Sequence, residues 1–211
     1  MARTLGSDPN QVAKNGRRVL LGWIGGGSPA SQSLARDLSL SSEYELLQAF
    51  VPELQMLRQP ATEETTSVAE EEVVGTLAHS AGSLQLEVVA SFSWTETPKA
   101  PFGVSVLGGS SKMTIDCAGT DPSAPNGCMV SVDGKSGPLM PIGTKSVTMH
   151  SIVDHEIIET IYNNRTAMVT YNKKIPSASS TSVALWGTSA GVKADIKTWS
   201  LDAANNLGPQ P

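Results

Sequence analysis

Between residues 84 and 94 the even positions Leu84, Leu86, Val88, Ala90, Phe92 and Trp94 are apolar, while Gln85, Glu87, Ser91 and Ser93 are polar and Val89 is the one exception. A period of two predicts a strand with one buried face. Further strands are expected at 102–107, 112–118, 129–133, 146–152, 157–162, 166–171, 181–186 and 192–201, set off by Gly, Pro, Asn and Asp clusters at 121–127, 134–143, 163–164 and 187–191. No helical period intervenes. Many short strands joined by turns predict an all-β chain folded as an antiparallel two-sheet β-sandwich.

The chain upstream is patterned differently. A turn at Gly6-Ser7-Asp8-Pro9-Asn10 is followed by one apolar run, Arg17-Arg18-Val19-Leu20-Leu21-Gly22-Trp23-Ile24, which ends at Gly25-Gly26-Gly27. It reads as a strand whose partner is missing, so Val19, Leu20, Leu21 and Ile24 are expected to be exposed. Short strands are expected at 34–40 and 46–57, and the acidic, Thr- and Ser-rich stretch 63–72 as a solvated connector. The last residues, 204–211, read as a frayed tail.

Composition narrows the function. The 211 residues carry a net charge of −5 with no basic block longer than two residues, so nucleic acid is not an expected partner. No apolar stretch approaches the roughly 18–20 residues that span a bilayer, and residues 1–11 lack the basic and apolar regions of a signal peptide. No membrane association is expected, and a cytoplasmic location is the default. Cys117 and Cys128 flank a polar loop that a bridge between them would close, although two thiols define no framework and free cysteines are the alternative. His79, His150 and His155 show no metal-ligand spacing, and no cofactor motif is present.

Candidate chemistry is sparse. Asp154 and Glu156, two apart in an expected strand, would share a face, with Glu159 on the other. A strand or turn role is the simpler reading, and a glycosidic acid–base pair is the sharper one. No G-x-S-x-G occurs, and the glycine clusters 25–27 and 108–109 lack the helix start and lysine of a phosphate loop. Of the four tryptophans, Trp94 and Trp199 are expected in the core, whereas Trp23 and Trp186 are candidate sugar-stacking platforms. Asn164-Arg165-Thr166 is a glycosylation sequon that, with no secretory signal in sight, reads as a turn.

Several segments resemble glycoside hydrolase family 32, the invertases, fructanases and related β-fructofuranosidases. The run from Arg17 to Ile24 is similar to that family's R-R-x-L-x-G-W-x strand, and Ser31-Gln32-Ser33-Leu34-Ala35-Arg36-Asp37-Leu38-Ser39-Leu40 to its segment ending in P-R-x-L-x-L. Val51-Pro52-Glu53-Leu54-Gln55-Met56-Leu57-Arg58 resembles P-v-x-E-L-x-x-L-R, and Val153-Asp154-His155-Glu156-Ile157-Ile158-Glu159-Thr160-Ile161-Tyr162-Asn163 resembles V-D-x-S-x-x-E-x-F-x-N. Trp199-Ser200-Leu201 stands where the family closes with W-x-L. Ala35 replaces the family's proline and Glu156 its serine.

The resemblance implies a catalytic five-bladed β-propeller with a β-sandwich packed beside it. Residues 1–60 would be the remnant of the last blade with linker strands, and 61–203 the sandwich. It also implies retaining hydrolysis by an Asp in N-D-P-N-G, an Asp in R-D-P and a Glu in E-C, motifs this sequence does not contain. Asp8 lies in a turn before the blade strand, Asp37 is followed by Leu38, and Asp116 precedes Cys117 where the motif has Glu. No catalytic residue is therefore assigned. The expected role is a structural sandwich partnering the propeller of a sucrose- or fructan-cleaving protein. A free-standing carbohydrate-binding module and a small glycosidase using Asp154 with Glu156 or Glu159 are the rivals.

Overall fold

The computed structural model describes residues 3–5, 16–25, 31–68, 76–77, 83–118, 127–139, 145–171, 181–187 and 191–203. The tail at 204–211 and the glycine run 26–27 lie outside them. The chain divides into two compact units, Met1–Met56 and Leu57–Pro211.

In the first unit, β1 (Arg3–Leu5), β2 (Arg18–Leu21), β5 (Arg36–Leu40) and β6 (Leu46–Phe50) form a four-stranded sheet in the order β1-β2-β5-β6, and β3 (Trp23–Ile24) pairs with β4 (Ser31–Gln32). All of these pairs are antiparallel. Four strands is the complement of one propeller blade. The expected orphan strand is thus not an orphan: β2 has β1 on one side and β5 on the other, and Val19, Leu20, Leu21 and Ile24 are all half-buried. Arg3-Thr4-Leu5, too short to show a period, supplies the missing edge.

Three of the motif residues meet in this unit. Arg17 places Nη2 2.7 Å from Asp37 Oδ2 and Nη1 2.5 Å from Glu53 Oε1. The Arg17 guanidinium holds the Glu53 carboxyl down at about 2. Segment 52–57, expected as strand, is instead a 3-10 turn (Pro52–Leu57), because a proline opening supplies a fixed φ and no ladder donor.

The second unit is the sandwich. Its strands are β7 (Glu64–Val68), β8 (Thr76–Leu77), β9 (Gln85–Trp94), β10 (Phe102–Val106), β11 (Ser111–Asp116), β12 (Cys128–Val132), β13 (Lys135–Leu139), β14 (Ser146–Asp154), β15 (Ile157–Tyr162), β16 (Thr166–Tyr171), β17 (Val183–Trp186) and β18 (Val192–Ser200). They form two six-stranded sheets, β13-β12-β11-β10-β17-β8 and β16-β15-β14-β9-β18-β7. The alternation of β9 buries Leu86, Val88, Ala90, Phe92 and Trp94 against Phe102, Val104 and Val106 of β10, Met113 and Ile115 of β11, and Val192, Ala194 and Ile196 of β18. Phe102 binds the two sheets together, its ring 5.3 Å from Phe92 and 5.9 Å from Trp94.

Two expectations fail here for physical reasons. Glu64–Val68, part of the expected connector, is edge strand β7: the β-branched Thr65 and Thr66 pair with β18, and Thr65 and Ser67 face solvent. Lys135–Leu139 is edge strand β13 despite its Gly and Pro, which an edge tolerates.

Cys117 and Cys128 are joined by a disulfide spanning 11 positions, both sulfurs buried where β11 ends and β12 begins. By closing that loop the bridge restricts the unfolded chain. Replacing both cysteines with serine is expected to lower stability by about 2–3 kcal/mol, read from urea denaturation of the two proteins.

Candidate functional site

A charged cluster around a buried carboxylate is built on the face of β9 that points away from the core. Glu87 is 2% exposed there. Pairing places Glu159, Ile152, Glu87 and Trp199 in one row across β15, β14, β9 and β18, and all four are buried. The alternation that puts Leu86 and Val88 in the core necessarily puts Glu87 on this side.

Arg58 reaches Glu87 because the segment before β7 is stitched to the end of β18. Arg58 bridges Leu201, the Asp202 N–H donates to the Leu57 carbonyl at 2.8 Å, and the Gln59 N–H donates to the Ser200 carbonyl at 3.0 Å. Thr62 Oγ1, one turn later, accepts the Ser200 N–H at 2.8 Å. The guanidinium then meets the carboxylate in a two-point fork, with Nε 2.7 Å from Oε2 and Nη2 2.7 Å from Oε1. His150 Nε2 on β14 lies 2.6 Å from the same Oε1.

Arg58 also stacks on Trp199, its Cζ 3.9 Å from the ring centroid. Trp199 Nε1 donates to Glu63 Oε2 at 3.0 Å, and Lys197 Nζ lies 3.5 Å from Glu63 Oε1.

Burial alone would push the Glu87 carboxyl up; the hydrogen bonds from Arg58 and His150 outweigh it, and the group sits at about 2. It is therefore a permanent carboxylate with both oxygens engaged. Such a group has no proton to donate at neutral pH. The cluster holds strands together: Arg58 from the stitched segment, Glu87 from β9, His150 from β14 and Trp199 from β18.

The carboxylates singled out from sequence are dispersed. Asp154 ends β14, and its Oδ1 accepts from Gln85 Nε2 at 2.9 Å and lies 2.8 Å from His155 Nδ1. Glu156 is not a strand residue: it occupies the β14–β15 turn after His155, whose φ is 56°, and accepts a hydrogen bond from the Tyr171 hydroxyl. That bond holds the Tyr171 phenol above its ordinary value. The turn also resets the alternation. Asp154 pairs with Ile157, so Asp154 and Glu159 share a sheet face, contrary to the expected parity. One is exposed, the other buried at 1%, and they lie on successive rows of one sheet rather than across a cleft.

Trp94 lies in the core and Trp199 in the charged cluster. Trp23, on β3, is 62% exposed. Trp186, at the end of β17, is half-buried, with Lys112 Nζ 5.1 Å from its ring centroid and its indole N–H buried without a hydrogen-bond partner among the described residues. Among the described residues no group of three His, Cys, Asp or Glu side chains could hold a metal ion, and no helix is long and apolar enough to cross a membrane.

Sequence reasoning missed Glu87, Arg58 and His150 as a cluster. Glu87 is the one charged residue of the ten-residue strand β9, and that was the available signal.

The family model for "Glycosyl hydrolases family 32 C terminal" matches residues 53–200. A search of curated protein sequences finds no match. Among solved structures, the fold is similar to that of a fructofuranosidase from Schwanniomyces occidentalis complexed with fructosylnystose, at 13% identity and TM-score 0.68, over 96% of this chain and 47% of that one. The exo-inulinase of Aspergillus awamori gives 18% identity and TM-score 0.63, over 88% of this chain and 41% of that one. Sucrose-6-phosphate hydrolase from Lactobacillus gasseri gives 15% and 0.61, over 90% of this chain and 39% of that one. The chain spans less than half the length of these proteins. A match over most of the chain, on a fold shared with these sugar hydrolases, carries one conclusion: the chain belongs to glycosyl hydrolase family 32, and its sandwich is that family's C-terminal domain.

Proposed function

We propose that this chain supplies the supporting part of a β-fructofuranosidase-like hydrolase, acting as a structural brace for a catalytic β-propeller and cleaving no sugar itself. Glu87 carries this reading. This buried carboxylate is locked by Arg58 and His150, so a site where burial alone would make a carboxyl into a proton donor makes a strand clamp instead. Retaining hydrolysis needs two carboxyl groups about 5–5.5 Å apart on either side of the scissile bond. Asp154 and Glu156 are each engaged with neighbours around one hairpin turn.

Sucrose and fructans are the substrates this reading gives to the whole protein, with the chemistry in the propeller. Purified chain incubated with sucrose or inulin is expected to release no reducing sugar. Turnover that Asp154→Asn abolishes would contradict the proposal and revive the small-glycosidase reading.

A second reading, a carbohydrate-binding module, is favoured by one observation, the open indole of Trp23. Trp186 supports it less, because Lys112 occupies a face of its ring. The structural proposal predicts that tryptophan fluorescence stays flat in a titration with sucrose or inulin. Saturable quenching lost in Trp23→Ala would favour the module.

A further inference from the structure

We propose that Asn164 is an N-glycosylation site, presented at the tip of the β15–β16 hairpin on a chain whose disulfide assigns it to an oxidising compartment. Asn164-Arg165-Thr166 is the one N-x-S/T sequence in the chain. The hairpin turns through Asn163 and Asn164, at φ 48° and 54°, and closes with the Arg165 N–H on the Tyr162 carbonyl at 2.8 Å. Positive φ at both central positions of the Tyr162–Arg165 turn, inside a three-residue loop, is a backbone that asparagine is among the few residues to adopt.

The two asparagines then part company. Asn163 is committed to the fold: its Oδ1 accepts the Thr148 N–H at 2.7 Å and lies 3.1 Å from the Thr148 hydroxyl. Asn164 is exposed, and among the described residues no hydrogen bond engages its amide. A glycan on it would project from a loop tip without disturbing either sheet.

The second observation is independent of the first. The sequence has two cysteines, and both are in the bridge, at 4% and 2% exposure within the core. Lasting bridges are rare in the cytosol and ordinary along the secretory route, where sequons are also used. This replaces the cytoplasmic default drawn from sequence.

In the modifying step, Asn164 Nδ2 attacks the anomeric carbon of an oligosaccharide carried on a polyprenyl diphosphate. The N–C bond forms as the bond to the diphosphate oxygen breaks, the transferase takes one amide proton, and polyprenyl diphosphate leaves.

The test is the full chain directed into the endoplasmic reticulum of a eukaryotic host by a cleavable leader. Expected is a loss of mass on peptide N-glycosidase treatment, with Asn164→Asp conversion in the released peptide. That loss should vanish in Asn164→Gln and Thr166→Ala and persist in Thr166→Ser. Both cysteines should resist alkylation until reduced. Lumenal parent chain with unmodified Asn164, or with two free thiols, overturns the proposal. Because transfer precedes folding and the deciding result is read on the parent chain, a variant that misfolds does not alter it.

Discussion

Arg58→Ala is expected to destabilise the sandwich by about 3–5 kcal/mol, the cost of stranding a buried carboxylate. Glu87 is 2% exposed and takes two hydrogen bonds from Arg58, so truncation leaves His150 as the remaining partner that the structure places at hydrogen-bond distance from Glu87. Removing the charge along with its partner should recover much of the loss. The double variant Arg58→Met with Glu87→Gln is expected to be more stable than Arg58→Ala alone, because most of the penalty belongs to the unpaired charge. Arg58→Lys should lie between, keeping the charge but losing the planar fork and the stacking on Trp199. Chemical denaturation of the four proteins at neutral pH reads the order directly.

The same cluster fixes an acid limb. The folded Glu87 carboxyl lies at about 2, below its ordinary value of 4.5, so its contribution is complete above 4.5 and is lost as pH falls from there toward 2. The parent chain should therefore lose stability over that window more steeply than the Arg58→Met, Glu87→Gln double variant.

Gly103→Ala is the second large effect, at about 4 kcal/mol from overpacking and backbone strain together. A Cβ at Gly103 would stand 2.0 Å from the Met113 carbonyl oxygen on the paired strand β11, and a ladder oxygen is not the movable end of a flexible side chain. Gly103 lies on β10, every residue of which is buried and which holds β11 on one side and β17 on the other. The ladder has no room to slide. Gly134→Ala is the comparison: its φ of 80° also disfavours alanine, but a Cβ there meets nothing within 4 Å, so strain alone is left. The gap between the two thermal midpoints isolates the close approach.

The sandwich was legible because its strands carry their own period. Leu86, Val88, Ala90, Phe92 and Trp94 alternate without a break, and 157–162 and 166–171 match β15 and β16 residue for residue. Edges were not legible. β13 contains Gly137 and Pro138, β7 opens on an acidic stretch, and β1 is three residues long, so each becomes a strand only by pairing with one already formed. The motif residues Arg17, Asp37, Glu53 and Arg58 stood out as a family pattern, but their partners could not be read from it. Arg17 finds Glu53 across 36 positions and Arg58 finds Glu87 across 29, distances at which local spacing carries no geometry. The Asp154–Glu159 parity failed for a related reason: a two-residue turn changes which side chains face which way, and His155 at positive φ is where it happens.

Glu87 is central to all of this as a structural anion rather than an acid held ready for chemistry. Carbon-detected NMR titration of the Glu87 side-chain carboxyl in the folded chain tests that role. The structure predicts a carboxylate shift that stays constant down to the acid limit of the fold, consistent with a value of about 2. A carboxyl that takes up its proton between about pH 5 and 7, as a glycosidase general acid does, would contradict it.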